Sequence, residues 1–250
     1  MRTFFKNRAF LLKKNRVILV PIVVILLIVV LLVMYSSRKT EPEAFLPEPP
    51  VLFVENIEET VLRPLTIGTS VEGRDIEAYT YGNGSQHLLF VGGIHGGYEW
   101  NSVVLSYKLI DYLEKNENSL PGNIAITVIP SLNPDGVFKI VGKEGRFTTL
   151  DIPTASKSLP GGTGRFNAND VDLNRNFACK WQPLSTWRGD TVSAGTAAFS
   201  EPEAQALKDF VDIHTPDMVA FFHSQSNAVY ASECEAGVLP ETLEVMNKYS

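Results

Sequence analysis

"HLLFVGGIHGGYEWNSVVLSYKLIDYLEKN", residues 87–116, passes from an apolar run through a glycine-rich turn into a segment with helical spacing. Residues 87–94 read as a buried strand, short and bounded by glycine. After Asn101, Val104, Leu105, Leu109, Ile110 and Leu113 recur at the period of a helix. "NIAITVIPSL", residues 123–132, follows as a second short strand rich in β-branched residues. Strand, helix and strand in that order predict an α/β fold.

The flanking segments extend the pattern. "GTSVEGRDIEAYTYGNG", residues 68–84, reads as two short strands around a turn at Glu72 and Gly73. "SEPEAQALKDFVDIH", residues 200–214, opens with Ser200 and Glu203 spaced as a capping box. Ala204, Leu207, Phe210 and Val211 then share one face. "DMVAFFHS", residues 217–224, is a strand ending at His223, and "PETLEVMNKYS", residues 240–250, a further helix. Residues 142–164 contain no convincing element and read as a long surface loop, a kind of segment that is often functional. The expected fold is a mixed, largely parallel sheet with helices on both faces, preceded by one N-terminal transmembrane helix. Ligands in such sheets bind beyond the carboxyl ends of strands, where His95 and His223 both fall.

The chain of 250 residues is 44% apolar, enough for one sizeable core. A net charge of −6 and the absence of a long basic run beyond the first residues argue against nucleic acid as a partner. Residues 1–16 carry Arg2, Lys6, Arg8, Lys13, Lys14 and Arg16, and residues 17–35, "VILVPIVVILLIVVLLVMY", are free of charge. As a helix that run reaches about 28 Å, close to the roughly 30 Å hydrocarbon core. It is longer than the apolar part of a signal peptide and lacks an A-x-A-like cleavage site. The expectation is therefore a signal anchor with the basic segment cytoplasmic and the remainder extracytoplasmic, or a secreted chain if the segment is cleaved. Residues 36–59, rich in proline and glutamate, read as a spacer, and residues 60–250 as the catalytic domain. Two cysteines, Cys179 and Cys234, suggest one disulfide in an oxidising exterior, two buried thiols being the alternative.

Two histidines and one carboxylate are a standard ligand set for catalytic zinc, so His95, Glu99 and His223 are candidate ligands, although position alone also suits ordinary core histidines. "SLNPDG", residues 131–136, and "GRFNANDVDLNRNF", residues 164–177, change the balance. With "GIHGGYE" before them and "FFHS" after, they make this chain resemble the zinc carboxypeptidase family, which includes pancreatic-type carboxypeptidases and bacterial murein-peptide amidases. The likeness runs over about residues 60–235 and is strongest to the compact bacterial branch.

That resemblance implies one Zn2+ per chain held by His95, Glu99 and His223. It implies that Asn174 and Arg175 bind the substrate's terminal carboxylate, that Arg165 polarises the scissile carbonyl, and that Asp172 orients its neighbours. Arginine suits both tasks, as a planar, permanently charged fork that pairs with carboxylates or a developing oxyanion. The chain departs from the family in two respects. Tyr98 lengthens the usual three-residue step from histidine to glutamate to four, and the family's general-base glutamate lies much further past the last histidine than Ser250. Glu233, Glu235, Glu241 and Glu244 all come too early for that strand, so the expectation is a catalytic domain lacking its C-terminal part. The expected activity is that of a membrane-anchored metallocarboxypeptidase acting on a peptide or cell-wall peptide. Murein-peptide amidase or N-acyl amino acid deacylase activity, and zinc-dependent binding at the cell surface without turnover, are the alternatives.

Overall fold

The structure, a computed structural model, describes residues 28–32, 64–159, 161–225 and 227–249, apart from the side chains of Lys157 and Ser158. The chain divides into two units, Met1–Glu59 and Thr60–Ser250. In the first, residues 28–32 are helical. The basic segment 1–16, the spacer 36–59 and the rest of the 17–35 span lie outside the described residues. Among the described residues no helix is long and apolar enough to cross a membrane.

The second unit is built on a five-stranded sheet. Strands β1 (Leu65–Thr69) and β2 (Asp75–Tyr81) form an antiparallel pair, and β2 runs antiparallel to β4 (Ile124–Ile129). Strand β3 (Gln86–Val91) is parallel to both β4 and β7 (Met218–Phe221), giving the order β1-β2-β4-β3-β7. The sheet is thus mixed, its parallel half carrying the connections through helices that the sequence order predicts.

Strand alternation sorts the side chains onto two faces. Ile76, Ala78, Leu89, Val91 and Ile129 pack with Ala206, Leu207 and Phe210 of helix α3 (Pro202–His214). Tyr79, Tyr81, Phe90, Ile126 and Val128 turn the other way, against α1 (Trp100–Asn116) and α2 (Pro134–Val141). Helices cover both faces as expected. On α1 the buried stripe is Val103, Val104, Tyr107, Ile110 and Leu113, whereas Leu105, read as part of the core face, is 49% exposed.

Helix α2 explains why "NPDG" has its composition. The Asn133 side chain accepts from the Gly136 backbone N–H at 2.8 Å, capping the first turn, and Pro134 occupies the position where no donor is needed. The Asp135 carboxylate, buried in that turn, accepts from Ser70 Oγ at 2.6 Å, Glu72 N at 3.0 Å and Arg74 Nη1 at 2.7 Å, which ties α2 to the β1–β2 turn.

The expected capping box at α3 does not form. Pro202 takes the first helical position, the N-cap is Glu201, and Ser200 Oγ donates to the Glu201 carboxylate instead. Glu203 turns inward, wholly buried, where it accepts from Val71 N at 3.2 Å and Asn167 Nδ2 at 3.1 Å. Two further elements complete the unit: a hairpin of β5 (Leu184–Trp187) and β6 (Asp190–Ser193), and α4 (Pro240–Tyr249), which buries none of its residues. Among the described residues of 142–164 the helical or strand elements are short 3-10 turns, Thr149–Asp151 and Thr154–Ser158.

Candidate metal centre

Because β3 and β7 are adjacent and parallel, with Val91 opposite Phe221, the segments leaving their carboxyl ends emerge side by side. His95 and His223 lie on those segments, and their ring centroids stand 4.9 Å apart. Glu99 ends a 3-10 turn, Gly96–Glu99, that leads directly into α1.

The turn fits because its first two residues have no side chain. Gly96 has a left-handed backbone (φ +46°), and a Cβ there would meet Gly164 O at 2.6 Å and Gly136 Cα at 2.8 Å. A Cβ on Gly97 would meet Ile140 Cγ1 at 2.4 Å. Tyr98 N faces His95 O at 3.2 Å and Gly164 O at 3.5 Å. The extra residue is thus built into the turn, and the four-residue step still returns Glu99 to His95.

Both imidazoles present the same nitrogen to one carboxylate. His95 Nδ1 is 2.8 Å from Glu99 Oε1, and His223 Nδ1 is 3.1 Å from Glu99 Oε2. Ser224 N also donates to Oε2, at 3.2 Å. Donor atoms of His95, Glu99 and His223 all lie within 4.8 Å of one another. Burial would raise the Glu99 carboxyl, yet the two imidazoles hold it down at about 2.

Asp172 stands behind His95. Its Oδ1 is 3.5 Å from His95 Nε2, and its Oδ2 accepts from Arg165 Nη2 at 2.8 Å. Burial works against the charged forms of both partners. Even so, Asp172 and Glu99 raise the His95 imidazole, and His95 with Arg165 hold the Asp172 carboxyl at about 2. A carboxylate on the far nitrogen of a histidine is the arrangement that orients a metal ligand. Two imidazole nitrogens and a buried carboxylate, one imidazole so supported, fit zinc.

The other predicted residues converge on the same region. Asn174 N donates to Asp172 Oδ1 at 3.1 Å, and Arg175 donates through Nε to Ser185 Oγ at 3.0 Å and through Nη1 to Asn174 O at 3.2 Å. Arg165 is 3% exposed, lies 4.5 Å from the centroid of the Trp187 ring, and has an Nε without a partner among the described residues. Cys179 and Cys234 are joined as a disulfide, their Cα atoms 5.5 Å apart. Glu233, Glu235, Glu241 and Glu244 are exposed, and Glu233 pairs with Lys180. Sequence reading did not find the contribution of the hairpin: Trp187 over Arg165, and Ser185 on Arg175. Its only local signal is "WRGD", residues 187–190, a turn sequence between two short polar strands.

A model of the family described as zinc carboxypeptidase matches residues 54–248. This chain belongs to the zinc carboxypeptidase family. It is 27% identical over 188 residues to gamma-D-glutamyl-L-diamino acid endopeptidase 1 of Lysinibacillus sphaericus, covering 68% of this chain and 47% of that protein. To the carboxypeptidase N catalytic chain of Homo sapiens it is 29% identical over 199 residues, covering 74% and 40%. Carboxypeptidase A from Helicoverpa armigera shares the fold, with a TM-score of 0.51 at 24% identity over 73% of this chain and 45% of that one. The chain therefore spans about half the length of the relatives it matches, or less. Zinc carboxypeptidases are peptide hydrolases, and the His95, Glu99 and His223 cluster lies within the matched region.

Proposed function

We propose that the protein is a zinc-dependent metallocarboxypeptidase, hydrolysing a peptide bond next to a residue with a free carboxylate. The observation that carries this reading is the pair of Nδ1 atoms facing the two oxygens of Glu99, with Asp172 behind His95. Zinc held by His95, Glu99 and His223 would supply Lewis-acid polarisation and a bound water acidified to a pKa of about 7.

The chain's own residues supply orientation and charge. Asp172 Oδ1, 3.5 Å from His95 Nε2, favours the tautomer with its proton on Nε2, which would leave the Nδ1 lone pair for the metal. Ser185 and the Asn174 carbonyl fix the Arg175 fork, whose remaining donors have no partner among the described residues and suit a terminal carboxylate. The positive charge of Arg165, held by Asp172, favours negative charge developing on the scissile carbonyl oxygen. Among the described residues no carboxylate besides Glu99 and Asp172 contacts the imidazole pair, and proton transfer is assigned to none of the four exposed glutamates.

A cell-wall peptide is the second substrate reading, favoured by likeness to the Lysinibacillus endopeptidase. Residues 17–35 are proposed to anchor the enzyme in the membrane with the domain extracytoplasmic, on the strength of their length and freedom from charge. The test is hydrolysis by the full-length, zinc-loaded protein of peptides with free or amidated C-termini, alongside a murein tripeptide. Chelator-sensitive release of C-terminal residues from the free acids alone is expected. Equal cleavage of the amides, or indifference to chelator, would overturn the reading.

A further inference from the structure

The β5–β6 hairpin carries a cation that the site so far leaves unused. Its two-residue turn is Arg188–Gly189, with φ of 53° and 89°, the left-handed pair that suits a hairpin turn. Glycine or asparagine fills the first of these positions without strain; arginine does not. The backbone thus holds an unfavoured residue at the tip.

The side chain of Arg188 is held over aromatic rings. Its guanidinium carbon lies 5.2 Å from the centroid of Trp187 and 5.8 Å from that of Tyr98, whose rings meet edge to face at 5.4 Å. Among the described residues it has no carboxylate partner; Asp190, in the same hairpin, makes no ion pair with it. Arg165, bonded to Asp172, also lies against Trp187, at 4.5 Å.

A continuous chain of contacts runs from the metal ligands to the surface: His95, Asp172, Arg165, Trp187, Arg188. Tyr98, the residue directly before Glu99, closes it from the other side. Asp172 balances Arg165, whereas Arg188 is exposed and unbalanced. Arg175, from the Leu173–Arg175 turn, donates to Ser185 of the same hairpin, so two cations without carboxylate partners among the described residues meet at this hairpin. A planar cation laid on aromatic rings has lost part of its hydration and keeps its edge donors for an acceptor from solvent.

We propose that Arg188, braced by Trp187 and Tyr98, binds a second carboxylate of the substrate, distinct from the terminal one assigned to Arg175, and so selects acidic peptides. This rests on the metallocarboxypeptidase reading. The test uses non-cleavable peptides with a reduced scissile bond, in pairs that exchange glutamate for glutamine at each of the last three positions before the C-terminal residue. Their dissociation constants are measured on the zinc-loaded full-length protein by calorimetry.

At one position the glutamate peptide is expected to bind about tenfold more tightly than its glutamine partner. Arg188→Asn, which suits the left-handed backbone, is expected to reduce that ratio to about one, and Arg188→Lys to retain most of it. A ratio near one at every position in the unmodified protein would overturn the proposal, as would a ratio that survives Arg188→Asn. The C-terminal amides of the same peptides report separately on the metallocarboxypeptidase reading, since loss of affinity there concerns Arg175 and Asn174 rather than Arg188.

Discussion

Asp172 Oδ1 stands 3.5 Å from His95 Nε2 while the other oxygen of the same carboxylate accepts from Arg165 at 2.8 Å. One wholly buried side chain is thereby placed to orient His95, a proposed metal ligand, and to hold Arg165, the cation proposed to act on the scissile carbonyl. Replacing it by asparagine removes the charge at nearly constant shape. Zinc affinity of Asp172→Asn, measured by chelator competition, is expected to fall about 10- to 100-fold. The unpaired Arg165 should also destabilise the fold, by about 3–5 kcal/mol in denaturant unfolding. Unchanged zinc affinity would remove the orienting role.

The four-residue step from His95 to Glu99 is a property of the turn and not a tolerated irregularity. Gly96 and Gly97 pack against the backbone of Gly136 and the side chain of Ile140, and Tyr98 N faces two carbonyls. Deleting Tyr98 is expected to abolish stoichiometric zinc binding, because Glu99 would leave the turn rotated away from His95. Tyr98→Phe should bind zinc normally.

Gly96→Ala tests the packing directly. The added methyl would lie within 3 Å of Gly164 O and Gly136 Cα, on a left-handed backbone. A loss of about 2–3 kcal/mol in unfolding free energy is expected, compounded of strain and overpacking.

Glu203 gives the fold a pH dependence unrelated to the metal. Burial raises its carboxyl, against the opposing hydrogen bonds from Asn167 and Val71. A raised carboxyl binds its proton more tightly in the folded state. Its contribution to stability is full below the unfolded pKa and is lost as pH rises through the folded one. Unfolding free energy should therefore decline as pH rises from about 4.5, the ordinary glutamate value. In Glu203→Gln that component of the slope should vanish.

The disulfide between Cys179 and Cys234 closes a loop of 55 residues in sequence separation. Chain entropy sets its contribution at about 4 kcal/mol as an upper figure. The Cys179→Ser, Cys234→Ser double variant should melt at lower temperature, with the same zinc stoichiometry if the bridge serves only to hold the segments flanking the site.

What was legible in the sequence follows from period and length. Residues 87–129 showed their strand, helix and strand because each is apolar enough, or long enough, to express its repeat. Helix α2 was hidden because it is only eight residues long and begins at Pro134, so its capping motif was read only as part of the family resemblance. The β5–β6 hairpin was hidden because its short strands are mostly polar and partly exposed. Ser200 and Glu203 had the spacing of a capping box, but Pro202 shifted the helix start and the interior claimed Glu203. At the site, strand ends located His95 and His223, and resemblance supplied Arg165, Asn174 and Arg175. The cover of Trp187 over Arg165 joins the end of a short strand to an irregular segment, and no periodic pattern encodes such a contact.

Zinc titration of the full-length protein, followed by metal analysis after dialysis, tests the metal centre most directly. One tightly held zinc per chain is expected, lost in Glu99→Ala and in His223→Ala, with both variants still folded by circular dichroism. Absence of zinc from the unmodified protein, or its retention in both variants, would contradict a centre built from His95, Glu99 and His223.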